Sequence, residues 1–295
     1  MTNPIWAIDR DALSRIRNEH PEMASAARTT LALHGFESFD SFRSRDLEFP
    51  VVNGVVRIDL RGVMTKDVSF WTYISNGLST TQLTDAFSQF ASNTSIEAVL
   101  FVIDSPGGSV DGLDALGDAI TACRKKKPVV AQVDGMAASA AYYAASQATE
   151  IHANRMDLVG SIGTYIMLYD YSKMFEEAGV KVIAVKTGEH KAAGAAGTEI
   201  TDEQVAEFQR LVDAYFGDFK DAVLRGRKGK IKPKQLDGVA DGRVFLADES
   251  VDLGLIDGVR KTRDAMEMVR PPRARVRGES FERERRARQL RMRSH

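Results

Sequence analysis

The 295-residue chain has one cysteine, Cys123, and its five histidines show no ligand spacing such as H-x-x-x-H. A single cysteine forms no disulfide within the chain and cannot build a thiolate metal site. We therefore expect neither a disulfide-stapled fold nor a bound metal, and we expect no other cofactor. The composition suits a reducing compartment.

Long apolar runs are also missing. No stretch approaches the roughly 18 apolar residues that a membrane helix requires. The first ten residues have neither the basic nor the apolar region of a secretory signal. From the sequence alone we expect a protein without a membrane span that resides in the cytoplasm.

The net charge of −1 hides an asymmetry along the chain. Residues 270–295 hold ten arginines and three glutamates, a charge of +7, so residues 1–269 carry −8. The basic end is either a site for nucleic acid or an acidic partner, or a solvated and disordered tail. The sequence leaves both open.

Strand-like apolar runs alternate with helical periodicities, which predicts βαβ units and a mainly parallel sheet in an α/β fold. Further along the chain, the alternation in Val180-Lys-Val-Ile-Ala-Val-Lys186 predicts a strand. Thr201 begins a predicted helix that fades by Gly226. We expect this helix to bury its apolar side chains, namely Val205, Phe208, Leu211, Val212, Tyr215 and Phe219. The early strands are predicted at residues 55–60, 96–103 and 128–133, and the helices between them at residues 80–90 and 109–124.

Three parts are expected along the chain. Residues 1–49 read as an N-terminal helix and connecting arm, residues 50–268 as the α/β domain, and residues 269–295 as a basic Arg-rich tail. Pro271-Pro272 marks the border of the tail.

Two motifs follow neighbouring predicted strands, and parallel strands bring such turns to one edge of the sheet. In Asp104-Ser-Pro-Gly-Gly108, the glycines let the backbone bend and expose its amides, as in an oxyanion hole or an ordinary tight turn. In Asp134-Gly-Met-Ala-Ala-Ser139, the serine lies where strand becomes helix. There it is a nucleophile, or else an N-cap or a small packing residue.

A nucleophilic serine needs a base. Within the domain the only histidine candidates are His152 and His190. Lys191, in an Ala- and Gly-rich loop at residues 187–200, is another candidate. Burial lowers the pKa of a lysine amine, so that the amine can lose its charge and accept a proton. The alternative is a solvated loop lysine.

Three segments, taken together, resemble the signal peptide peptidase A (SppA) family of serine peptidases, which includes minor-capsid proteases of tailed phages. Val159-Gly-Ser-Ile-Gly163 and Asp241-Gly-Arg-Val244 are also similar to family signatures. The resemblance covers roughly residues 50–260. The three segments are Ile103-Asp-Ser-Pro-Gly-Gly-Ser109, Gly135-Met-Ala-Ala-Ser-Ala-Ala-Tyr-Tyr143 and Gly188-Glu-His-Lys-Ala192.

This resemblance implies a Ser–Lys dyad in which Ser139 is the nucleophile and Lys191 is the general base, later the acid for the leaving amine. Ser161 matches the family serine that hydrogen-bonds the lysine. The main-chain amides of Gly108 and Ala140 would form the oxyanion hole, and Gly107 would shape the turn.

The resemblance also implies a fold shared with the caseinolytic protease (ClpP) and crotonase groups, with repeated ββα units and a mainly parallel sheet. Such chains assemble into homo-oligomeric rings, and in single-domain members neighbouring subunits complete each site. Lys191 would then act on Ser139 of the adjacent protomer.

The missing membrane anchor and the Arg-rich tail favour a soluble phage or prophage head-maturation protease, with a scaffold or capsid protein as its substrate. Its location would be the host cytoplasm or the procapsid. A bacterial SppA-type signal peptide peptidase is the first alternative. The others are a non-catalytic capsid assembly protein on a protease fold and a crotonase-type acyl-CoA enzyme.

Overall fold

In the computed structural model, the structure describes residues 47–69, Thr72 and residues 77–269. The expected N-terminal helix and the Arg-rich tail lie outside the described residues, so both stay predictions. Among the helices of the described ranges, none is both long and apolar enough to cross a membrane.

The centre of the molecule is a mostly parallel sheet, as the alternation of strands and helices predicted. Its main path runs β1-β2-β3-β4-β5-β8, and β6 pairs with both β4 and β7. Only the β1–β2 and β6–β7 pairs are antiparallel. The strands are β1 Val51–Val52, β2 Val55–Arg61, β3 Ala98–Ser105, β4 Val129–Ala138, β5 Glu150–Ala153, β6 Leu158–Gly160, β7 Val244–Leu246 and β8 Gly258–Val259.

Eight helices have their bounds within the described ranges. The longest has 25 residues and begins after Thr201, whose hydroxyl accepts a hydrogen bond from the Gln204 amide. The helices are α1 Thr80–Ser92, α2 Leu113–Arg124, α3 Ala140–Ser146, α4 Ser172–Glu177, α5 Asp202–Gly226, α6 Pro233–Asp237, α7 Ala247–Asp252 and α8 Thr262–Val269.

Strand β3 is buried on both faces, which explains its nearly continuous apolar sequence. Val99, Phe101 and Ile103 belong to the large core that includes α1, α2 and α3. Leu100 and Val102 point the other way, into a smaller core with α8. Packing on both sides holds the ends of β3 and β4 at one edge of the sheet.

The expected strand at residues 180–186 does not form. These residues are irregular and exposed, and Val185 is 98% exposed. A strand needs a partner for its backbone amides and carbonyls, and residues 180–186 pair with none of the described strands. The alternating sequence is typical of a strand, but the described residues supply no partner for it.

Candidate active site

A pocket of about 730 Å³ opens at the carboxyl ends of β3 and β4. Ser139 and the turn Gly107-Gly108 line it, and so does Ser161 from the end of β6. The expectation that the two strand-end motifs meet at one edge of the sheet is therefore confirmed by the topology.

Ser139 has an unusual backbone for a residue other than glycine, with φ 52° and ψ −125°. Its amide donates to the Gly160 carbonyl at 2.9 Å, and its carbonyl accepts from the Tyr143 amide at 3.0 Å. Although Ser139 occupies the N-cap position of α3, its hydroxyl makes no capping hydrogen bond. The hydroxyl thus stands at a strained strand-to-helix turn without the structural task that a cap would give it.

Gly107 packs directly against this turn. A Cβ at Gly107 would lie 2.7 Å from the Ala138 carbonyl oxygen and 2.8 Å from both the Ala140 nitrogen and the Ser139 Cβ. The Gly107 amide also donates to the Ser105 hydroxyl at 3.1 Å. Only glycine fits this close approach, so the turn and the serine are held against each other.

Gly108 pairs with Met64 in a short parallel bridge, in which the Ser109 amide donates to the Met64 carbonyl at 2.9 Å. This bridge leaves the amide of Gly108 itself without a hydrogen-bond partner among the described residues. The amide of Ala140, at the first position of α3, has no partner there either. Two free amides are therefore near the serine: Ala140 follows Ser139 in the sequence, and Gly108 lines the same pocket.

Ser161 also has a positive φ, at 50°. Its amide donates to the Arg243 carbonyl at 2.6 Å, and the Gly242 amide donates to the Ile162 carbonyl at 3.2 Å. The segment Asp241–Val244 therefore holds Ser161 in the pocket wall. No hydrogen bond joins the Ser161 hydroxyl to another described residue.

Lys191 does not line the pocket that contains Ser139. Its side chain is exposed, and it makes no hydrogen bond or ion pair with another described residue. Neither histidine candidate lines the pocket; His152 is 2% exposed and its Nε2 lies 2.9 Å from Glu150. Within one copy, the structure brings together the serines and glycines of the predicted site but not its lysine.

One wall of the pocket was missed in the sequence. Helix α5 contributes residues at i, i+3, i+4 and i+7, namely Gln209, Val212, Asp213 and Phe216. This spacing is visible in the sequence, which predicts that the helix buries its apolar residues in the core. Instead Val205 and Tyr215 are each 47% exposed, and complete burial begins at Phe219.

Cys123, the one cysteine of the chain, does not line this pocket. Burial raises the pKa of the Cys123 thiol to about 11, which disfavours the nucleophilic thiolate. No cluster of His, Cys, Asp or Glu suited to a metal ion occurs among the described residues.

Comparison with protein families matches residues 121–275 to the model described as peptidase family S49. This match covers more than half of the chain. The chain belongs to peptidase family S49. Ser139, Ser161 and Lys191 all fall within the matched residues, whereas Gly107 and Gly108 precede them. The resemblance to the SppA family is thereby confirmed.

Several relatives match this chain over part of their length. A Methanocaldococcus jannaschii protein named provisionally as a protease is 32% identical over 59% of this chain and 56% of its own. The chloroplastic serine protease SPPA of Arabidopsis thaliana is 28% identical over 60% of this chain and 26% of its own. Capsid assembly protease C of Escherichia phage lambda is 27% identical over 84% and 55%. The chain thus spans about half or less of these relatives.

Solved structures similar to this S49 chain include an enoyl-CoA hydratase/isomerase family member, with a TM-score of 0.44 and 15% identity over 75% of this chain and 72% of that one. A mutant of a membrane-bound stomatin-specific protease has a TM-score of 0.43 and 14% identity over 75% of this chain and 85% of that one.

Proposed function

We propose that this chain is a serine endopeptidase with Ser139 as its nucleophile. The observation that carries the proposal is the Ser139 hydroxyl, which lies in a pocket at a strained turn and caps no helix. Membership of a peptidase family supports the reaction class.

In this reaction the Ser139 Oγ attacks the carbonyl carbon of a peptide bond, and its proton passes to the base. The amides of Gly108 and Ala140 stabilise the oxyanion of the tetrahedral intermediate, since they have no other partner among the described residues. The C–N bond then breaks, and the base returns the proton to the leaving amine. Water hydrolyses the acyl-serine and restores the hydroxyl.

Lys191 is the proposed base, and a second copy of the chain is proposed to bring it to Ser139. A lysine serves as a base where burial removes water from its amine, yet Lys191 is exposed in a single copy. The stretch before it also exposes apolar side chains that a partner would cover. These side chains include Tyr165, Met167, Tyr169, Met174, Ile183 and Val185.

Ser161 is proposed to hydrogen-bond the lysine amine once the neighbouring loop is in place. Its hydroxyl lines the pocket and has no partner among the described residues. The assembly would be a homo-oligomeric ring of sites completed between subunits.

For the biological role, we propose maturation of a phage or prophage head by cleavage of a scaffold or capsid protein. The lambda capsid assembly protease matches 84% of this chain, compared with about 60% for the chloroplast protease. Head maturation would place the protein in the host cytoplasm or the procapsid. The Arg-rich tail would there bind an acidic partner or nucleic acid.

The proposed function is tested by peptide cleavage with Ser139→Ala and Lys191→Ala. Each is expected to lower kcat at least about a thousandfold, because each removes a member of one catalytic unit. Ser88→Ala and Lys126→Ala are matched controls, since both residues are exposed and outside the pocket. Undiminished cleavage in either test variant would refute the dyad.

Peptide cleavage and a separate binding measurement distinguish the other functional classes. A non-catalytic assembly protein would cleave no peptide in any variant. A crotonase-type enzyme would bind a CoA thioester saturably, with no dependence on Ser139 or Lys191.

A further inference from the structure

The pocket beside Ser139 combines apolar walls with negative charge. No lysine, arginine or histidine is among the described residues that line it. Its acidic residues are Asp111, Asp213 and Asp241, and its apolar wall includes Ile162, Val212 and Phe216.

The three carboxylates differ in whether a nearby positive charge already compensates them. Asp241 is paired with Arg243, whose Nε lies 2.8 Å from Oδ2, so that charge is already compensated. Asp111 accepts a hydrogen bond from the Ser109 hydroxyl at 2.8 Å. Asp213 accepts one from Gln209 Nε2 at 2.7 Å. Neither Asp111 nor Asp213 has an ion pair with a described residue.

Asp213 is held at a fixed place in the wall. It lies one residue after Val212, whose carbonyl accepts a hydrogen bond from the Thr164 hydroxyl at 2.9 Å. That bond ties helix α5 to the segment that follows Ser161. The Gln209 hydrogen bond occupies only Oδ1 of Asp213 and leaves Oδ2 without a partner among the described residues.

We infer that Asp213 is a specificity-determining residue that selects substrates with a lysine or arginine side chain close to the scissile bond. The aliphatic part of such a side chain packs on the apolar wall, and its charged end pairs with the carboxylate. Asp111 adds negative charge in the same pocket. This inference rests on the proposed peptidase function and names its substrate class.

The size of the preference follows from the exposure of Asp213. Asp213 is exposed and its charge is screened by water, so we expect about a twofold to fivefold preference for lysine over an uncharged side chain of equal length. The preference should shrink as salt is added, since added ions screen exposed charges.

The experiment uses pairs of peptides that differ only in lysine or norleucine, placed in turn at each of the positions around the scissile bond. The ratio of kcat/KM values is measured for the full chain, for Asp213→Asn and for Asp213→Lys. Asp221→Asn is the matched control, because Asp221 is exposed on the same helix and does not line the pocket.

We expect the lysine preference at one position to fall toward unity in Asp213→Asn and to reverse in Asp213→Lys, with Asp221→Asn unchanged. Equal cleavage of lysine and norleucine peptides at every position would overturn the inference. So would a preference that Asp213→Asn leaves intact. Circular dichroism melting shows that each variant is folded.

Two readouts keep this inference separate from the proposed function. Labelling of Ser139 by an uncharged phosphonate reports the nucleophile alone, and Asp213→Asn should leave it unchanged. Binding of the same peptide pairs to Ser139→Ala, followed by fluorescence anisotropy, reports the lysine preference without turnover. Labelling without a lysine preference would reject the inference and keep the peptidase. A lysine preference without labelling would keep the inference and reject Ser139 as the nucleophile.

Discussion

At the scale of single residues, the tightest constraint on the site is at Gly107. Its missing side chain lets the backbone contact Ala138, Ser139 and Ala140. We expect Gly107→Ala to displace the serine turn, lowering kcat at least about a hundredfold and stability by about 2 kcal/mol. Peptide cleavage and thermal melting measure the two effects.

Gly217→Ala is the matched control for that prediction. Gly217 lies in helix α5 with open space around the position of a Cβ, so alanine should be neutral or slightly stabilising there. Full activity in Gly107→Ala would show that the close approach does not position Ser139.

Also at the residue scale, Asp257 ties the end of helix α5 to strand β5, since its Oδ2 accepts a hydrogen bond from the Ile151 amide at 2.8 Å. Its carboxylate lies 2.6 Å from both Arg227, which is 1% exposed, and Lys230. Burial alone would favour the neutral acid, but hydrogen bonds from Arg227 and Lys230 hold the pKa of Asp257 below its usual value. The folded state therefore prefers the ionised carboxylate, which stabilises it above the unfolded pKa of about 4 and less as the pH falls through the lower folded pKa.

We expect Asp257→Asn to lower the free energy of unfolding by about 3 kcal/mol at neutral pH, since it leaves the buried Arg227 charge unpaired. The difference from the unsubstituted chain should shrink below about pH 4, where the acid becomes protonated. Urea unfolding across pH measures this. Asp252→Asn is the exposed control, and an equal loss at every pH would contradict the linkage.

At the scale of elements, helix α1 depends on its first turn. The Ser79 hydroxyl accepts from the Gln82 amide at 3.2 Å, and the Gln82 side chain accepts from the Ser79 amide at 3.0 Å. We expect Ser79→Ala to cost about 1 kcal/mol of stability, since it leaves a helix amide without its partner. Ser88→Ala, exposed on the same helix, should stay within about 0.5 kcal/mol in the same melting experiment. Equal effects of the two substitutions would contradict the capping role.

The elements also show what the sequence can predict. Strands β2, β3 and β4 and helices α1 and α2 were predictable, because both their periodicity and their burial are decided within the domain. The prediction of a strand at residues 180–186 was wrong, because a strand there depends on a partner that the described residues do not supply. The pocket wall on α5 was missed for a related reason, since an apolar stripe does not tell a core from a cleft.

At the scale of the whole molecule, one part of the candidate site was predictable from the sequence and another part was not. The placement of Ser139 with Gly107 and Gly108 followed from parallel strands that end at one edge. The place of Lys191 relative to Ser139 does not follow from one chain. Its catalytic role, like those of the other site residues, stays a prediction.

Mixing two inactive variants tests whether neighbouring copies complete each site. Oligomers of Ser139→Ala and Lys191→Ala chains contain some pairs in which an intact Ser139 meets an intact Lys191 of the next copy. We expect co-expression to restore up to about a quarter of the normal peptide cleavage, as random pairing predicts. Either variant alone serves as the control, and a mixture as inactive as both would place the dyad within one copy.

The most direct test of the account is the site of covalent labelling by an uncharged fluorophosphonate, read by peptide mass spectrometry. We predict a single adduct on Ser139 in the full chain, much slower labelling in Lys191→Ala and none in Ser139→Ala. An adduct on another serine, or undiminished peptide cleavage by a chain in which Ser139 is never labelled, would contradict the claim that Ser139 is the nucleophile.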